Sequence, residues 1–318
     1  MRLIFMGTPE FAVAALARLA ADGHLVEAAF TQPDKPAGRG NKLLQPPVKL
    51  FAVERGITVF QPGRIKTNEE VRATFAAIAP DACIVAAYGK ILPEWMLSIP
   101  RLGCINVHAS LLPKYRGAAP INWAIANGER ETGVTIMQMD PGLDTGPMLA
   151  SRAVEIGDDE TAVELSSRLA ELGAGLLSET LRRLELGEVQ PVPQNNSEAT
   201  YAPMLKREDG LIDWSQTAGQ IANRIRAFQP WPGCHTILGH HRLIIWRAHA
   251  SGEAQSINES ALRPATITGM TKTGITVACG GTSALHIEEL QIEGKRRLPA
   301  RDVINGLRLM TGGRISDG

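Results

Sequence analysis

The stretch Asp81-Ala82-Cys83-Ile84-Val85-Ala86-Ala87 decides the fold of this chain. After a single aspartate it is an uninterrupted run of apolar residues. Such a run is typical of a parallel strand that lies in the middle of a sheet and is buried on both faces. We therefore predict a central parallel strand at residues 81–87.

Strand and helix signals alternate on both sides of this run. Before it, the apolar residues 3–6 end at a Gly-Thr-Pro turn, and helical periodicity follows over residues 11–21, with Thr8 as the predicted N-cap. The other predicted strands cover residues 24–31, 57–60, 104–108 and 134–139, and the other predicted helices cover 68–79, 121–127 and 161–186. Alternating units of this kind predict an α/β domain with a Rossmann-like parallel sheet and with sites at the carboxyl ends of its strands.

The character of the chain changes near residue 187. Residues 190–197, Gln-Pro-Val-Pro-Gln-Asn-Asn-Ser, have no hydrophobic period, which predicts a linker. A predicted helix at 218–228 is followed by short β-like runs at 234–238, 242–247, 265–268, 275–278 and 284–291. Short strands separated by Gly, Asn and Ser turns predict a small β-barrel, of the oligonucleotide-binding (OB) kind. We therefore divide the chain into a catalytic domain at 1–188, a linker at 189–205 and a β-barrel domain at 206–318.

The composition is that of a globular protein. Hydrophobic and charged fractions of 44% and 21% argue against disorder, and 318 residues suggest more than one domain. The four cysteines stand singly and no histidine pair has metal spacing, so we expect neither a disulfide framework nor a metal. No apolar run suits a membrane span or a signal peptide, and no helix face demands a partner. We expect a cytoplasmic monomer without a membrane partner.

Positive charge is concentrated in two places. Through Leu205 the chain has 19 Lys and Arg against 23 Asp and Glu, whereas the remainder has 14 against 10, which permits contact with a phosphate backbone. Residues 32–49 form a basic, Gly/Pro-rich connection that includes Lys35, Arg39 and Lys42. Connections usually take about 2–6 residues, and longer ones tend to be functional. We predict a phosphate-seeking loop, although a plain solvated loop would also fit this composition.

Three polar residues lie where an α/β sheet places its sites. Asn106 and His108 alternate at the end of a predicted strand, so both side chains point to one face. A carboxamide and an imidazole there suit a carbonyl oxygen that becomes an oxyanion during acyl transfer. Asp144 follows the next strand, where a carboxylate orients an imidazole or takes up a proton. Taken singly, each residue also fits a structural role, as a turn contact, a buried histidine or a loop cap.

Other chemistries lack the residues they need. Gly7-Thr8-Pro9-Glu10 follows the first strand, but the GxGxxG spacing is absent and Pro9 removes a backbone N–H that would bind pyrophosphate. This excludes NAD and FAD. No Ser or Cys occupies a nucleophile elbow, which excludes a covalent mechanism.

Two motifs resemble the signatures of the formyltransferases that use 10-formyltetrahydrofolate. Asn106-x-His108 with residues 110–121 is similar to the first signature, and Asp140-x-Gly142-Leu143-Asp144-Thr145-Gly146 is similar to the second. The resemblance implies direct transfer of a formyl group to an uncharged amine, with Asn106 and His108 holding the oxyanion and Asp144 orienting the imidazole. It also implies 10-formyltetrahydrofolate as the donor and a folate site made of Tyr88, Gly89, Ile91, Leu92, Ser110, Leu111, Leu112, Pro113 and Asp140.

The resemblance to one branch of this family, the methionyl-tRNA formyltransferases, runs nearly end to end. Residues 6–11, 31–40, 212–214 and 226–232 are similar to its bacterial members. This implies methionyl initiator tRNA as the acceptor and Arg39 as the main tRNA contact, helped by Lys35 and Lys42.

Four further functions stay open at this point. Sugar-nucleotide amine formyltransferases also carry a small C-terminal domain, but they lack the Pro-Ala-Gly-Arg-Gly loop at 36–40. Glycinamide ribonucleotide formyltransferases lack a second domain. A formyltetrahydrofolate hydrolase would use water as the acceptor, and an RNA-binding protein with a decayed enzyme domain would not catalyse the transfer.

Overall fold

The computed structural model describes residues 1–37, 42–251 and 263–316. The described strands are β1 Arg2–Gly7, β2 Leu25–Phe30, β3 Lys35–Ala37, β4 Lys42–Leu44, β5 Thr58–Phe60, β6 Ala82–Ala86, β7 Cys104–His108, β8 Arg116–Gly117, β9 Glu131–Gln138, β10 Met148–Glu155, β11 Tyr201–Ala202, β12 His235–Leu238, β13 His241–Ser251, β14 Ile267–Met270, β15 Ile275–Ala278, β16 Ala284–Ile292 and β17 Leu298–Pro299. The described α-helices are α1 Glu10–Ala21, α2 Pro47–Glu54, α3 Glu69–Ile78, α4 Glu94–Ser98, α5 Pro120–Ala126, α6 Ala162–Glu185, α7 Ala218–Ala227 and α8 Ala300–Gly306. Among these described residues, no helix combines the length and the hydropathy that crossing a bilayer requires.

Contacts divide the chain into two units. The first contains Met1–Pro120, Glu131–Glu155 and Ser166–Pro203, and the second contains Ile121–Arg130, Ile156–Leu165 and Met204–Gly318. Two short segments that precede residue 166 thus cluster with the C-terminal residues. Residues 189–205 are predicted to be a linker between two domains, but most of them cluster with the first unit. The boundaries 1–188 and 206–318 stay a prediction.

A seven-stranded sheet forms the first unit, in the order β10-β9-β7-β6-β1-β2-β5. The strands from β7 to β5 pair in parallel, which confirms the predicted α/β architecture. At the other edge, β9 runs antiparallel to both β7 and β10. The sequence did not predict β10 or this reversal. The helix α5 lies between β7 and β9 in the chain, and because these two strands are antiparallel, the connection is not a βαβ crossover.

The central strand is where the sequence predicts it. All five residues of β6, Ala82–Ala86, are buried, as expected for a strand covered on both faces. On one face, Cys83 and Val85 join a core cluster that includes Ile4, Phe75 from α3 and Met96 from α4. This cluster holds the helices against the sheet and fixes the face on which the polar residues of β7 lie.

The helix α6 covers the opposite face of the sheet. A Cβ atom added at Gly173 would lie 2.9 Å from Cγ1 of Val107 and 3.3 Å from Cγ1 of Val134. Gly173 therefore allows α6 to approach β7 and β9 closely. Because side chains alternate along a strand, Val107 points toward α6 while Asn106 and His108 point to the other face.

The predicted N-cap of the first helix is wrong. The helix α1 begins after Pro9, and no side chain caps it. The Thr8 hydroxyl instead donates to the carbonyl oxygen of Tyr88 at 3.2 Å and accepts from the backbone N–H of Gln32 at 3.3 Å. Thr8 thus joins three loops that follow β1, β2 and β6.

The second unit is built on antiparallel strands. Its sheet has the order β12-β13-β16-β15-β14, with β17 paired to β16, and each of the five predicted β-like runs overlaps one of the strands β12 to β16. Thr217 and Gln220 form a capping box that begins α7. The buried Trp214 indole donates to the Thr236 hydroxyl at 3.1 Å. Closure of the sheet into a barrel stays a prediction.

Candidate active site

The strand β7 places two of the three predicted catalytic side chains side by side. Asn106 and His108 are 8% and 5% exposed, on the face of the sheet opposite to α6. Two buried polar groups at the end of a strand require partners, because an unpaired buried polar group destabilises the fold. Their partners come from the loop after β9 and from the segment after β7.

Asp144 lies between these two side chains. Its Oδ1 is 3.5 Å from the amide nitrogen of Asn106, and its Oδ2 is 3.7 Å from Nδ1 of His108. The same Oδ2 accepts the backbone N–H of Gly117 at 2.8 Å. The structure therefore brings together all three predicted catalytic residues.

The backbone around Asp144 and Gly117 is unusual. Asp144 has a φ of +53°, a left-handed conformation that Asp tolerates better than most residues. Gly117 has a φ of +122°, and a Cβ atom there would lie 2.6 Å from the carbonyl oxygen of Ala202. Only glycine fits this position, which lets the backbone N–H of Gly117 reach the carboxylate.

The contacts of His108 assign its ring nitrogens. Nε2 lies 3.0 Å from the carbonyl oxygen of Tyr115, which can only accept, so Nε2 carries a proton. The other ring nitrogen, Nδ1, faces Asp144. The sequence predicts His108 as an oxyanion donor, whereas in this structure its Nε2–H is already donated to Tyr115.

Thr135 braces the segment that follows β7. Its hydroxyl donates to the carbonyl oxygen of Ser110 at 2.7 Å and accepts the N–H of Leu112 at 3.1 Å. The Ser110 hydroxyl donates to the carbonyl oxygen of Lys114 at 2.6 Å. Nothing in the sequence marks Thr135 as a site residue, because a threonine within an alternating strand carries no distinct signal.

A second support comes from residues 194–202, which lie in the predicted linker. The Gln194 amide nitrogen donates to the carbonyl oxygens of Asp144 at 2.8 Å and Gly146 at 2.7 Å. Its oxygen accepts from Arg116, which is 2% exposed and also donates to Asn196 at 2.8 Å. In addition, β11 pairs with β8 in parallel. No periodicity marks this segment, so only tertiary contacts reveal it.

The predicted folate residues differ in how far they are exposed to solvent. Tyr88, Leu92, Ser110 and Leu112 are buried within the protein, at 2%, 5%, 0% and 7% exposure, so they offer a ligand little accessible surface in this structure. Ile91, by contrast, is 85% exposed.

The remaining predicted folate residues lie at the surface or in turns. Leu111 and Pro113 are half-buried, and Gly89 has a φ of +77°. The Asp140 carboxylate accepts from the backbone N–H of Gly142 at 3.0 Å and from the Thr145 hydroxyl at 2.7 Å. Asp140 therefore shapes the loop that carries Asp144.

The predicted nucleic-acid loop contains the hairpin of β3 and β4. Lys35 is exposed, Arg39 lies outside the described residues, and Lys42 is described only as part of the β4 backbone. Lys49, another basic residue of this connection, donates to the Asp34 carboxylate at 2.6 Å, and this hydrogen bond lowers the pKa of Asp34. Lys49 is therefore committed to closing the base of the hairpin.

A second lysine adds positive charge near this hairpin. Lys90 donates to the carbonyl oxygens of Pro62 and, at 3.0 Å, Gly63. Burial lowers the pKa of Lys90, and the positive charge of Lys35 lowers it further. The charge of Lys35 thus acts on Lys90, which follows Gly89 in the chain.

Comparison with known proteins defines the family. A family model described as formyl transferase matches residues 1–181, and a model described as formyl transferase, C-terminal domain, matches residues 204–308. Methionyl-tRNA formyltransferase from Geobacter metallireducens is 50% identical over 315 residues, which cover 99% of this chain and 98% of that protein. The enzyme of the same name from Koribacter versatilis is 52% identical over 308 residues, covering 97% and 96%. The chain belongs to the methionyl-tRNA formyltransferase family.

Solved structures share the fold of this family member. An N-formyltransferase from Helicobacter canadensis, in complex with folinic acid and dTDP-3-aminofucose, has a TM-score of 0.64 at 18% identity and covers 90% of this chain and 98% of its own. The sugar 3N-formyltransferase WlaRD has a TM-score of 0.65 at 18% identity, covering 93% and 99%. At this identity the likeness extends to the fold alone.

The side chains of this family member offer no metal centre where they are described. Across residues 1–37, 42–251 and 263–316, no three His, Cys, Asp or Glu side chains are grouped as metal ligands. The four cysteines are free and buried in this structure.

Proposed function

We propose that this chain transfers the formyl group of 10-formyltetrahydrofolate to the α-amino group of methionyl initiator tRNA, in the cytoplasm. The observation that carries the proposal is the full-length identity of about half to enzymes named methionyl-tRNA formyltransferase. The contacts among Asn106, His108 and Asp144 support it, because they supply a donor and a proton acceptor for acyl transfer.

We assign the oxyanion donor to Asn106. The amine attacks the formyl carbon, and the carbonyl oxygen gains negative charge in the tetrahedral intermediate. The Asn106 amide nitrogen carries two hydrogens, and its contact with Asp144 uses one of them. The other is then available to the oxyanion in a site that is largely closed to water, where such a donor is most effective.

We assign the handling of the proton to Asp144 and His108. The attacking amine must lose a proton after it adds to the formyl carbon, and N10 of the folate must gain one when it leaves. Asp144 takes up the proton from the amine, directly or through one water, because its carboxylate is partly exposed. Nδ1 of His108, 3.7 Å from that carboxylate, is the exchangeable nitrogen on the route toward N10.

The residues present fit a folate. Ile91 is 85% exposed and Leu143 is 57% exposed, and each belongs to a segment that the family resemblance assigns to the site. When an aromatic ring system covers exposed apolar side chains, apolar surface is removed from water, which favours binding. We therefore expect Ile91 and Leu143 to contact the flat rings of folate, while Gly89 contributes its backbone.

We propose that the hairpin loop contacts the tRNA through Lys35, Arg39 and Lys42. Two observations support this role. Lys35 is exposed, and the ion pair between Lys49 and Asp34 fixes the base of the hairpin. Exchanging Arg39 for Ala should weaken use of the tRNA more than use of folate. Equal KM values for tRNA in the variant and the wild type would contradict the assignment.

A side-by-side acceptor assay tests the proposed function. The purified protein and 10-formyltetrahydrofolate are offered methionyl initiator tRNA, methionyl elongator tRNA, glycinamide ribonucleotide or a dTDP-amino sugar, and mass spectrometry identifies the formylated product. We expect formyl-methionine mainly on the initiator tRNA. Formylation of the amino sugar alone would contradict the proposal that tRNA is the acceptor and identify a small amine instead. The proposed folate site would be unaffected.

A further inference from the structure

We propose that Gln194 is a positioning residue for the Asp144 carboxylate and that the buried Arg116 guanidinium orients Gln194. This inference rests on the formyl transfer proposed above. Gln194 touches neither of the reacting side chains Asn106 and His108 in this structure, and it acts through the backbone that carries Asp144.

The hydrogen bonds of Gln194 fix the orientation of its amide. The nitrogen lies 2.8 Å from the carbonyl oxygen of Asp144 and 2.7 Å from that of Gly146, and both oxygens can only accept. The amide oxygen lies 3.0 Å from Nε and 2.7 Å from Nη2 of Arg116, which can only donate. If the amide were reversed, its oxygen would face the two carbonyl oxygens and its nitrogen would face the Arg116 guanidinium. Only the observed orientation therefore satisfies all four contacts.

The two carbonyl groups flank Thr145, so one side chain holds both ends of the turn that carries Asp144. Asp144 is in the left-handed region, with a φ of +53°, where the backbone is less favourable than in an extended conformation. The hydrogen bonds from Gln194 offset that cost. They keep the carboxylate on the Gly117 N–H at 2.8 Å and facing Nδ1 of His108.

Arg116 is the fixed point behind Gln194. Its side chain is 2% exposed, and its guanidinium also donates to the amide oxygen of Asn196 at 2.8 Å. Its backbone pairs with Tyr201, so the pairing of β8 with β11 holds the backbone of Arg116 in place. The chain thus uses a buried cation and a planar amide to set the angle of a catalytic loop.

The substitution Gln194→Glu tests this role most sharply. It keeps the length of the side chain and an oxygen for Arg116, and it replaces the donor that faces the two carbonyl oxygens by an acceptor. We expect kcat to fall about 10- to 100-fold, because a displacement of about 1 Å in a catalytic group costs rate of this order. We expect the KM for folate and for tRNA to stay at the wild-type values.

Two further variants separate positioning from a general loss of structure. Gln194→Met removes both ends of the amide at similar length and should also lower kcat. Glu198→Gln is the matched control, because Glu198 is exposed and accepts only from Asn195, at 3.0 Å, among the contacts described in the same segment. In each variant, kcat is divided by the number of sites that bind 5-formyltetrahydrofolate.

The outcomes distinguish the two proposals. A lower kcat per folate-binding site in both Gln194 variants, with Glu198→Gln unchanged, supports the positioning role. A wild-type kcat per site, or a loss confined to KM, overturns it. If the wild-type protein formylates no methionyl-tRNA, the proposed function fails instead. A crystal structure of Gln194→Glu then still decides the inference, since a carboxylate that stays on the Gly117 N–H would contradict it.

Discussion

Replacing Asp144 with Asn separates the charge of this residue from its place in the fold. Asn is nearly the same size as Asp and also tolerates the left-handed backbone that Asp144 adopts, at a φ of +53°. The amide oxygen of Asn can accept the Gly117 N–H as the carboxylate does, at 2.8 Å. Its nitrogen would then face the amide nitrogen of Asn106, which stands 3.5 Å from Asp144 Oδ1.

The two effects of Asp144→Asn differ in size. Two donors facing each other leave one hydrogen bond unmade, which costs about 1–3 kcal/mol of stability. The lost carboxylate removes the proton acceptor, and a positioned general base contributes about 10²–10⁴ in rate. This corresponds to a barrier that is ~3–5 kcal/mol higher. We therefore expect a folded protein that binds folate and turns over at least about 100-fold more slowly.

Initial rates of formyl-methionine formation on initiator tRNA, at saturating substrates, measure this effect. Thermal unfolding of the same samples reports the stability. Asp302→Asn, at an exposed site in α8, is the control for loss of one negative charge. Near-normal turnover of Asp144→Asn would refute the assignment of Asp144 as proton acceptor.

Three further predictions concern Asn106, Tyr88 and His235. Asn106→Ala should lower kcat by about 10²–10³, the usual loss for one oxyanion donor, and steady-state kinetics with near-normal turnover would exclude that role. Tyr88→Phe should leave the KM for folate unchanged and raise the free energy of unfolding by up to ~1 kcal/mol, because the buried Tyr88 hydroxyl has no hydrogen-bond partner within the described residues; a loss of stability in urea would contradict this. Burial lowers the pKa of His235, and the Arg242 guanidinium 3.2 Å away lowers it further. The unfolded chain therefore takes up this proton first as the pH falls through about 6.5, so stability decreases there. Urea midpoints at pH 7.5 and 5.5 should show a smaller decrease for His235→Phe than for the wild type, and equal decreases would refute the assignment.

The sequence predicts the parts of the fold that local patterns determine. The apolar run that becomes β6 is typical of a strand buried on both faces in the middle of a sheet. The alternation of side chains along β7 puts Asn106 and His108 on one face. The rule that sites lie at the carboxyl ends of parallel strands does not account for Asp144. It follows β9, which runs antiparallel to β7, and its loop instead contacts Asn106 and Gly117.

Tertiary contacts determine the rest of the site, and local patterns do not carry them. Gln194 lies in a polar stretch without periodicity, and its role depends on Arg116, which is 78 residues away in the chain. The hydrogen bond from His108 to the Tyr115 carbonyl likewise depends on a turn whose Tyr115 has a φ of +59°. A motif names such residues at best, and only the folded chain shows which atoms they face.

The fate of a labelled formyl group tests the central claim most directly. Formyl-labelled 10-formyltetrahydrofolate is mixed with the protein and methionyl initiator tRNA, and the label is followed into formyl-methionine and into free formate. We expect nearly all of the transferred label on the methionine amino group, with tetrahydrofolate formed in equal amount. Label released as formate, at a rate that does not depend on the tRNA, would contradict it and identify water as the acceptor.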